Sequence, residues 1–297
     1  MTRPAATMRK DLADSLAAAM AASADQSIAR AALLIAGIEY PDLDPAPYLA
    51  RLDAMGRDAA QAIERHVVET GDRSVAGRLR CLNAYLFDRE GFTGNRHRYE
   101  DPRNSCLNEV LDRRTGIPLT LSLVYMEVAR RAGLWIEGVN FPGHFLVSCP
   151  DASPTGLIID PFDGGTVLTE QDCRRMFERH VGSGVPFDRD LLAAATPSQI
   201  VVRMLLNLKR IYVHMRSFPQ ARDVTELLMV VSPSAHSELR DRGLLAYHLN
   251  DLPRALQDLQ TYLQLSGAGE LDDESKTERK QIWEHVKTLR RRMAGLN

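Results

Sequence analysis

Apolar residues recur every three or four positions along much of this chain, and that period predicts helices. Ser27 opens a short run (Ile28, Ala31, Ala32, Leu34, Ile35) that stops at Gly37. The proline-rich stretch YPDLDPAP reads as a linker. Within it Asp44 caps the next helix, and Pro45 and Pro47 suit its first turn. Leu49, Leu52, Ala59 and Ile63 mark that helix's buried face. A third helix is predicted over 75–87, with Leu79, Leu82 and Leu86 on one stripe. Residues 88–103 break the pattern. They form a long charged loop with two aromatics, Phe92 and Tyr99, and loops of this kind often carry function.

Asn104 or Ser105 is expected to cap a short helix ending at Arg113. Thr115-Gly116-Ile117-Pro118 reads as a turn, and Pro118 then heads a helix to residue 132. The start of that helix (Leu119, Leu121, Leu123, Val124) is so apolar that it should be the central buried helix. Gly133 ends it. Three short strands follow over 135–141, 144–149 and 156–160, turning at Pro142-Gly143 and at 150–155. No helix separates them, so the sheet should be antiparallel. A helix over 170–180 closes this part.

The last third changes period again. Val201, Met204, Leu205, Leu208, Ile211, Tyr212 and Met215 lie at helical spacing. Phe218-Pro219-Gln220-Ala221 then matches Leu252-Pro253-Arg254-Ala255, an offset of 253 − 219 = 34 residues. Leu205 with Leu239 and Met215 with Leu249 agree at the same offset. A 34-residue helix-turn-helix period is the tetratricopeptide signature. Ala221 and Ala255 let paired helices approach, Pro233 stops the first repeat, and Gly243 supplies a small residue in the second. Two repeats are too few to stand alone. A final helix with Ile282, Val286, Leu289 and Met293 is expected to cap them.

Composition narrows the class. The 297 residues are 44% hydrophobic and 26% charged, as in a soluble globular protein of two ordinary domains. A net charge of −2 gives no broad basic field for nucleic acid, and Arg290-Arg291-Arg292 reads as a solvated helix end. Cys81, Cys106, Cys149 and Cys173 lie far apart, without metal-site spacing, and read as reduced cytoplasmic thiols. Asp11 and Asp14 interrupt any leader-like apolar core, and AALLIAGI is too short to span a bilayer, so no membrane partner is expected. Neither a cofactor nor a metal is expected. His97, His144 and Asp160 could converge on a metal, but their spacing does not argue for it.

Four motifs stand out: GFTGN, YEDPRNSCLNEVLDRRTGIPLTLSLVYMEVARR, NFPGHFLV and IIDPFDGG. On them, from about Ser27 to Gly267, the chain resembles the SirB type of bacterial transglutaminase-like proteins with C-terminal tetratricopeptide repeats. The resemblance implies an α+β fold in which a helical N-terminal section packs on a transglutaminase-like (papain-like) core with a small antiparallel sheet. All-α repeats follow. The expected boundaries are a lead over 1–26 that is a loose helix or disordered, the core over 27–195, two repeats over 196–267 and the capping helix over 268–297.

The wider superfamily uses a cysteine at a helix start, a histidine that shuttles its proton and an aspartate that holds the ring. The resemblance assigns the last two to His144 and Asp160, and it places Pro118 where the cysteine belongs. Proline has neither a nucleophilic atom nor an N–H for an oxyanion hole. The pair is therefore expected to be a triad relic, or a bonded core histidine beside an aspartate that caps its own turn. Cys106 is the rival nucleophile, because a helix start would lower its pKa. Thr120 and Ser122 are further rivals, although helical hydroxyls more often bond the preceding turn. Asn104, Glu109, Asp112, Arg113 and Arg114 form a charged patch, and Arg103 and Arg113 could clamp a carboxylate or a peptide terminus. Asn104, Glu109, Arg113 and Thr120 are thus candidate binding residues. The expected function is protein or peptide binding through the repeat surface and the His144 cleft. The alternative is a diverged acyl-transfer enzyme with a relocated nucleophile.

Overall fold

The computed structural model describes residues 5–21, 28–152, 156–266 and 273–294, the side chains of 5–9 and 274 excepted. Ser27, expected to open the helical run of Ile28 to Ile35, lies outside these residues, as does part of the turn expected over 150–155. The chain divides into two compact units, Ala18–Met204 and Met1–Ala17 with Leu205–Asn297. The α+β class implied by the resemblance is what the protein adopts. No described helix is long and apolar enough to cross a membrane.

The N-terminal stretch is helical as α1 (Ala5–Ala21). In the first unit, α2 (Ile28–Ala36) and α3 (Pro45–Thr70) precede α4 (Val75–Asn83), which continues as a π-helical turn over Ala84–Arg89. Asp44 caps α3 by accepting the Ala46 N–H at 2.9 Å, and Gly71 ends it at a φ of +73°. After β1 (Thr93–Gly94) and a 3-10 turn (Pro102–Ser105) come α5 (Leu107–Arg113) and β2 (Thr115–Gly116). Thr115-Gly116 is therefore more than a turn: it pairs in parallel with Thr93-Gly94. That pairing joins residues about twenty apart, which local periodicity does not reveal.

Pro118 heads α6 (Pro118–Arg131), and nearly every residue from there to Ala129 is buried. It is the central helix, packing against α2, α3 and the sheet. Glu127 in its second half is buried too. The Ala29 N–H at the start of α2 donates to it, and Arg130 and Arg131 neutralise it. The sheet runs β3 (Glu137–Val139), β4 (Leu146–Cys149), β5 (Leu157–Asp160) and β6 (Thr166–Leu168), in that order and antiparallel throughout. The fourth strand was not expected. It is three residues long and largely exposed, so it carries no alternating apolar signal. Helix α7 (Glu170–Val181) covers one face, where Cys173 and Phe177 pack on Val139, Phe141 and Leu146. Side chains alternate along a strand, so Val147 points to the face that α6 covers.

The second unit takes α8 (Pro197–His214) from Leu205 on, then α9 (Phe218–Val231), α10 (Ser237–His248), α11 (Leu252–Leu265) and α12 (Asp273–Ala294). Helices α9 and α11 start 252 − 218 = 34 residues apart, as the repeat demands. Ala221 and Ala255 are fully buried. A Cβ on Gly243 would stand 2.8 Å from Leu259, so glycine sets the closeness of α10 and α11. Ile282, Val286 and Leu289 of α12 bury against Leu252, Ala255, Leu259 and Tyr262.

Candidate functional site

Two strand ends build a polar pair. The Phe141 N–H donates to Val139 O at 2.9 Å and the His144 N–H to Phe141 O at 3.1 Å, so the chain turns tightly through Pro142 and Gly143. Gly143 has a φ of +69°, and a Cβ there would overlap the His180 ring, so glycine is what lets α7 lie this close. The register Val147↔Ile159 then sets His144, just before β4, beside Asp160 at the end of β5. His144 Nε2 lies 3.0 and 2.9 Å from the two carboxylate oxygens of Asp160. With Nε2 engaged, Nδ1 is the nitrogen left to meet a ligand.

Asp160 is itself held. Its Oδ1 accepts the Phe162 N–H at 3.0 Å and its carbonyl accepts the Gly165 N–H at 2.9 Å. Asn83 ties down that loop by donating to Gly165 O at 2.9 Å while accepting from the Tyr125 hydroxyl at 2.8 Å. Asp160 thus partners the ring and caps its own turn at once. Phe162 packs edge-on against both His144 and Tyr99, and Arg96 lies 5.0 Å over its face.

A cleft of about 460 Å³ opens at the pair. Its lining combines Pro142, Gly143 and His144 with Asp160, Phe162 and Asp163, the loop residue Arg96, and Met176, Arg179 and His180 of α7. None of these carries a thiol, a hydroxyl or an amine.

The polar residues expected around the start of α6 are used within the fold. Pro118 occupies the first helical position. The Thr120 hydroxyl accepts the Ile117 N–H at 3.1 Å and donates to Asn104 O at 2.7 Å. Ser122 donates to Phe145 O at 3.3 Å. Asn104 is fully buried. Its amide donates to Arg98 O at 2.6 Å, while its Oδ1 accepts from Asn95 at 3.1 Å and from Arg113 at 2.7 Å. Arg103 is paired with Asp101 at 2.8 Å, Asp112 with Tyr48 and Arg51, and Arg114 with Glu90. Burial, with a bond to Glu109, raises the pKa of the Tyr40 phenol. Arg103 and Arg113 are therefore turned to partners in their own chain.

The expectation for Cys106 needs correction. It sits just before α5, but that helix has only seven residues and the thiol is 2% exposed. Burial pushes it up to about 12, and nearby carboxylates of Glu39, Glu109 and Asp101 add to the shift. Desolvation outweighs the dipole. His97 does not join His144 and Asp160, for among the described residues no three His, Cys, Asp or Glu side chains gather as metal ligands. Sequence reasoning missed Arg96, Phe162, Arg179 and His180 as cleft residues. Phe162 stood in the IIDPFDGG motif. The other three lay in segments read only as a loop and a closing helix.

A family model described as the transglutaminase-like superfamily matches residues 46–206, and one for the tetratricopeptide repeat matches 208–281. The chain is 38% identical over 237 residues to a UPF0162 protein of Xylella fastidiosa, across 79% of this chain and 82% of that one. It is 26% identical over 186 residues to Protein SirB1 of Salmonella typhimurium, across 63% and 69%. A match to F-box only protein 21 of Homo sapiens is 33% identical over 186 residues, covering 59% of this chain but 28% of that protein. No solved structure matches.

Proposed function

This chain belongs to the transglutaminase-like superfamily, with tetratricopeptide repeats after the transglutaminase-like part, and on that premise we propose that it binds proteins or peptides rather than transferring acyl groups. The observation that carries this reading is the cleft lining, which offers an oriented imidazole but no thiol, hydroxyl or amine for it to activate. Without a side-chain nucleophile beside the base, no covalent acyl-enzyme can form in this cleft. Rival nucleophiles elsewhere are poorly suited. The Cys106 thiol is pushed up to about 12, and the hydroxyls of Thr120 and Ser122 donate to backbone carbonyls.

In this role His144 and Asp160 form a recognition pocket for a polar group of an extended segment, and the repeat helices supply further binding surface. Asn104, Arg113 and Thr120 act as its scaffold, shaping the loop and helix start behind it, with Glu109 beside them. Among the described residues no disulfide joins the four cysteines, which fits a reducing compartment such as a bacterial cytoplasm.

The test is capture on a peptide array by the full-length chain and by His144→Ala. Peptides retained by the wild type should be lost by the variant while its circular dichroism stays unchanged. Identical retention by both proteins would exclude the cleft as the binding surface.

A further inference from the structure

The cleft continues into a second hollow of about 580 Å³, and the two share Asp160, Asp163, Met176 and Arg179. Three of the charged groups in this joint space are matched one to one. Asp160 is bonded to His144, Asp163 to Arg96 at 2.7 Å, and Asp172 to Arg175 at 2.6 Å. Arg179 is different. Its Nε donates to Arg175 O at 3.3 Å, and no carboxylate among the described residues pairs with it. Glu178 beside it lines only the second hollow, and adjacent residues on a helix do not face each other. A cation in the last turn of α7 also complements the helix dipole, and Arg179 is exposed to solvent, so its guanidinium stays available to a ligand.

We infer that Arg179 is the anion receptor of the cleft and selects ligands carrying a carboxylate, a role that presupposes the binding function proposed above. A guanidinium fork holds a carboxylate through two parallel N–H···O bonds. The carboxylates already present cannot take that place, since His144 and Arg96 hold Asp160 and Asp163. The two carboxylates that line this cleft are already paired, so an incoming carboxylate would meet no unpaired acid there, and His180 in the same lining can offer it a ring N–H. The carboxylate can come from a chain terminus or from an Asp or Glu side chain, and both offer the same two oxygens.

The experiment presents immobilised full-length protein with three randomised pentapeptide pools. One has a free C-terminus and no acidic residue, one is the same pool amidated, and one is amidated with a single internal Glu. Retained peptide is quantified by mass spectrometry. The wild type should favour one or both carboxylate-bearing pools over the amidated neutral pool by about tenfold, the scale of one charged hydrogen-bonded contact. Which pool wins identifies the source. Arg179→Glu should abolish or invert the preference, and Arg179→Lys should keep part of it. Arg179 is exposed, so both variants should fold, as an unchanged melting temperature would verify. Equal retention of all pools, with loss on His144→Ala, would overturn the role of Arg179 and leave the binding function standing. No retention of any pool would overturn both.

Discussion

The strand pair and the start of α6 treat their polar residues in opposite ways. His144 and Asp160 bond each other at the mouth of an open cleft, where the ring keeps a nitrogen for a ligand. Around α6, Asn104, Thr120 and Ser122 are just as polar and, like Asp160, buried, but they are bonded to backbone carbonyls. The residue types on the two sides would suit the same chemistry. On the proposed function, one side is left to recognition and the other to support.

This contrast sets the expected effects of substitution. Asn104→Ala should be the most damaging, because it strips a buried carbonyl and the Arg113 guanidinium of their partners. A loss of about 2–4 kcal/mol in urea unfolding is expected. A loss below 1 kcal/mol would mean the loop is not held this way. His144→Ala should cost less, about 1–2 kcal/mol by the same measurement, since Asp160 keeps the Phe162 N–H. It should abolish ligand capture all the same. If the two variants cost the same, the division between support and recognition fails.

Thiol labelling separates the sides without altering the fold. At pH 8 the half-buried Cys81 should react first, although burial raises its pKa as well, and Cys106, Cys149 and Cys173 only after unfolding. Rapid native labelling of Cys106 would return it to candidacy as a nucleophile. The smallest effect concerns the start of α7. Bonds from Thr169 and Arg175 hold the Asp172 carboxyl at about 2, below its ordinary 3.8. A depressed folded-state pKa gives stability that is present above about pH 4 and lost as pH falls towards 2. The difference in melting temperature between wild type and Asp172→Asn should therefore be full at pH 5 and vanish near pH 2.

Local patterns carried much of the fold. The caps of α3, the apolar run of α6 and the 34-residue repeat each follow from residues close in sequence. What escaped depends on distant partners or on short length. The pairing of β1 with β2 spans the loop between them, and β6 has too few residues to show a period. The π-helical turn after Asn83 leaves an apolar stripe that reads as ordinary helix. In the site, the family motifs placed His144 and Asp160 together, and the strand register explains how. Cys106 misled because its position next to a helix start is visible in sequence while its burial is not. Arg179 was overlooked because a missing counter-ion becomes apparent only when the neighbouring charges have been paired off.

The decisive measurement is turnover at the cleft. Full-length protein is incubated with glutamine-containing peptides that it captures, and ammonia release, peptide mass and intact protein mass are followed together. Binding without acyl transfer predicts peptides recovered unchanged, no ammonia, and no mass added to the protein. Cleavage, deamidation or a covalent acyl adduct that disappears in His144→Ala would contradict it and make this cleft an active site.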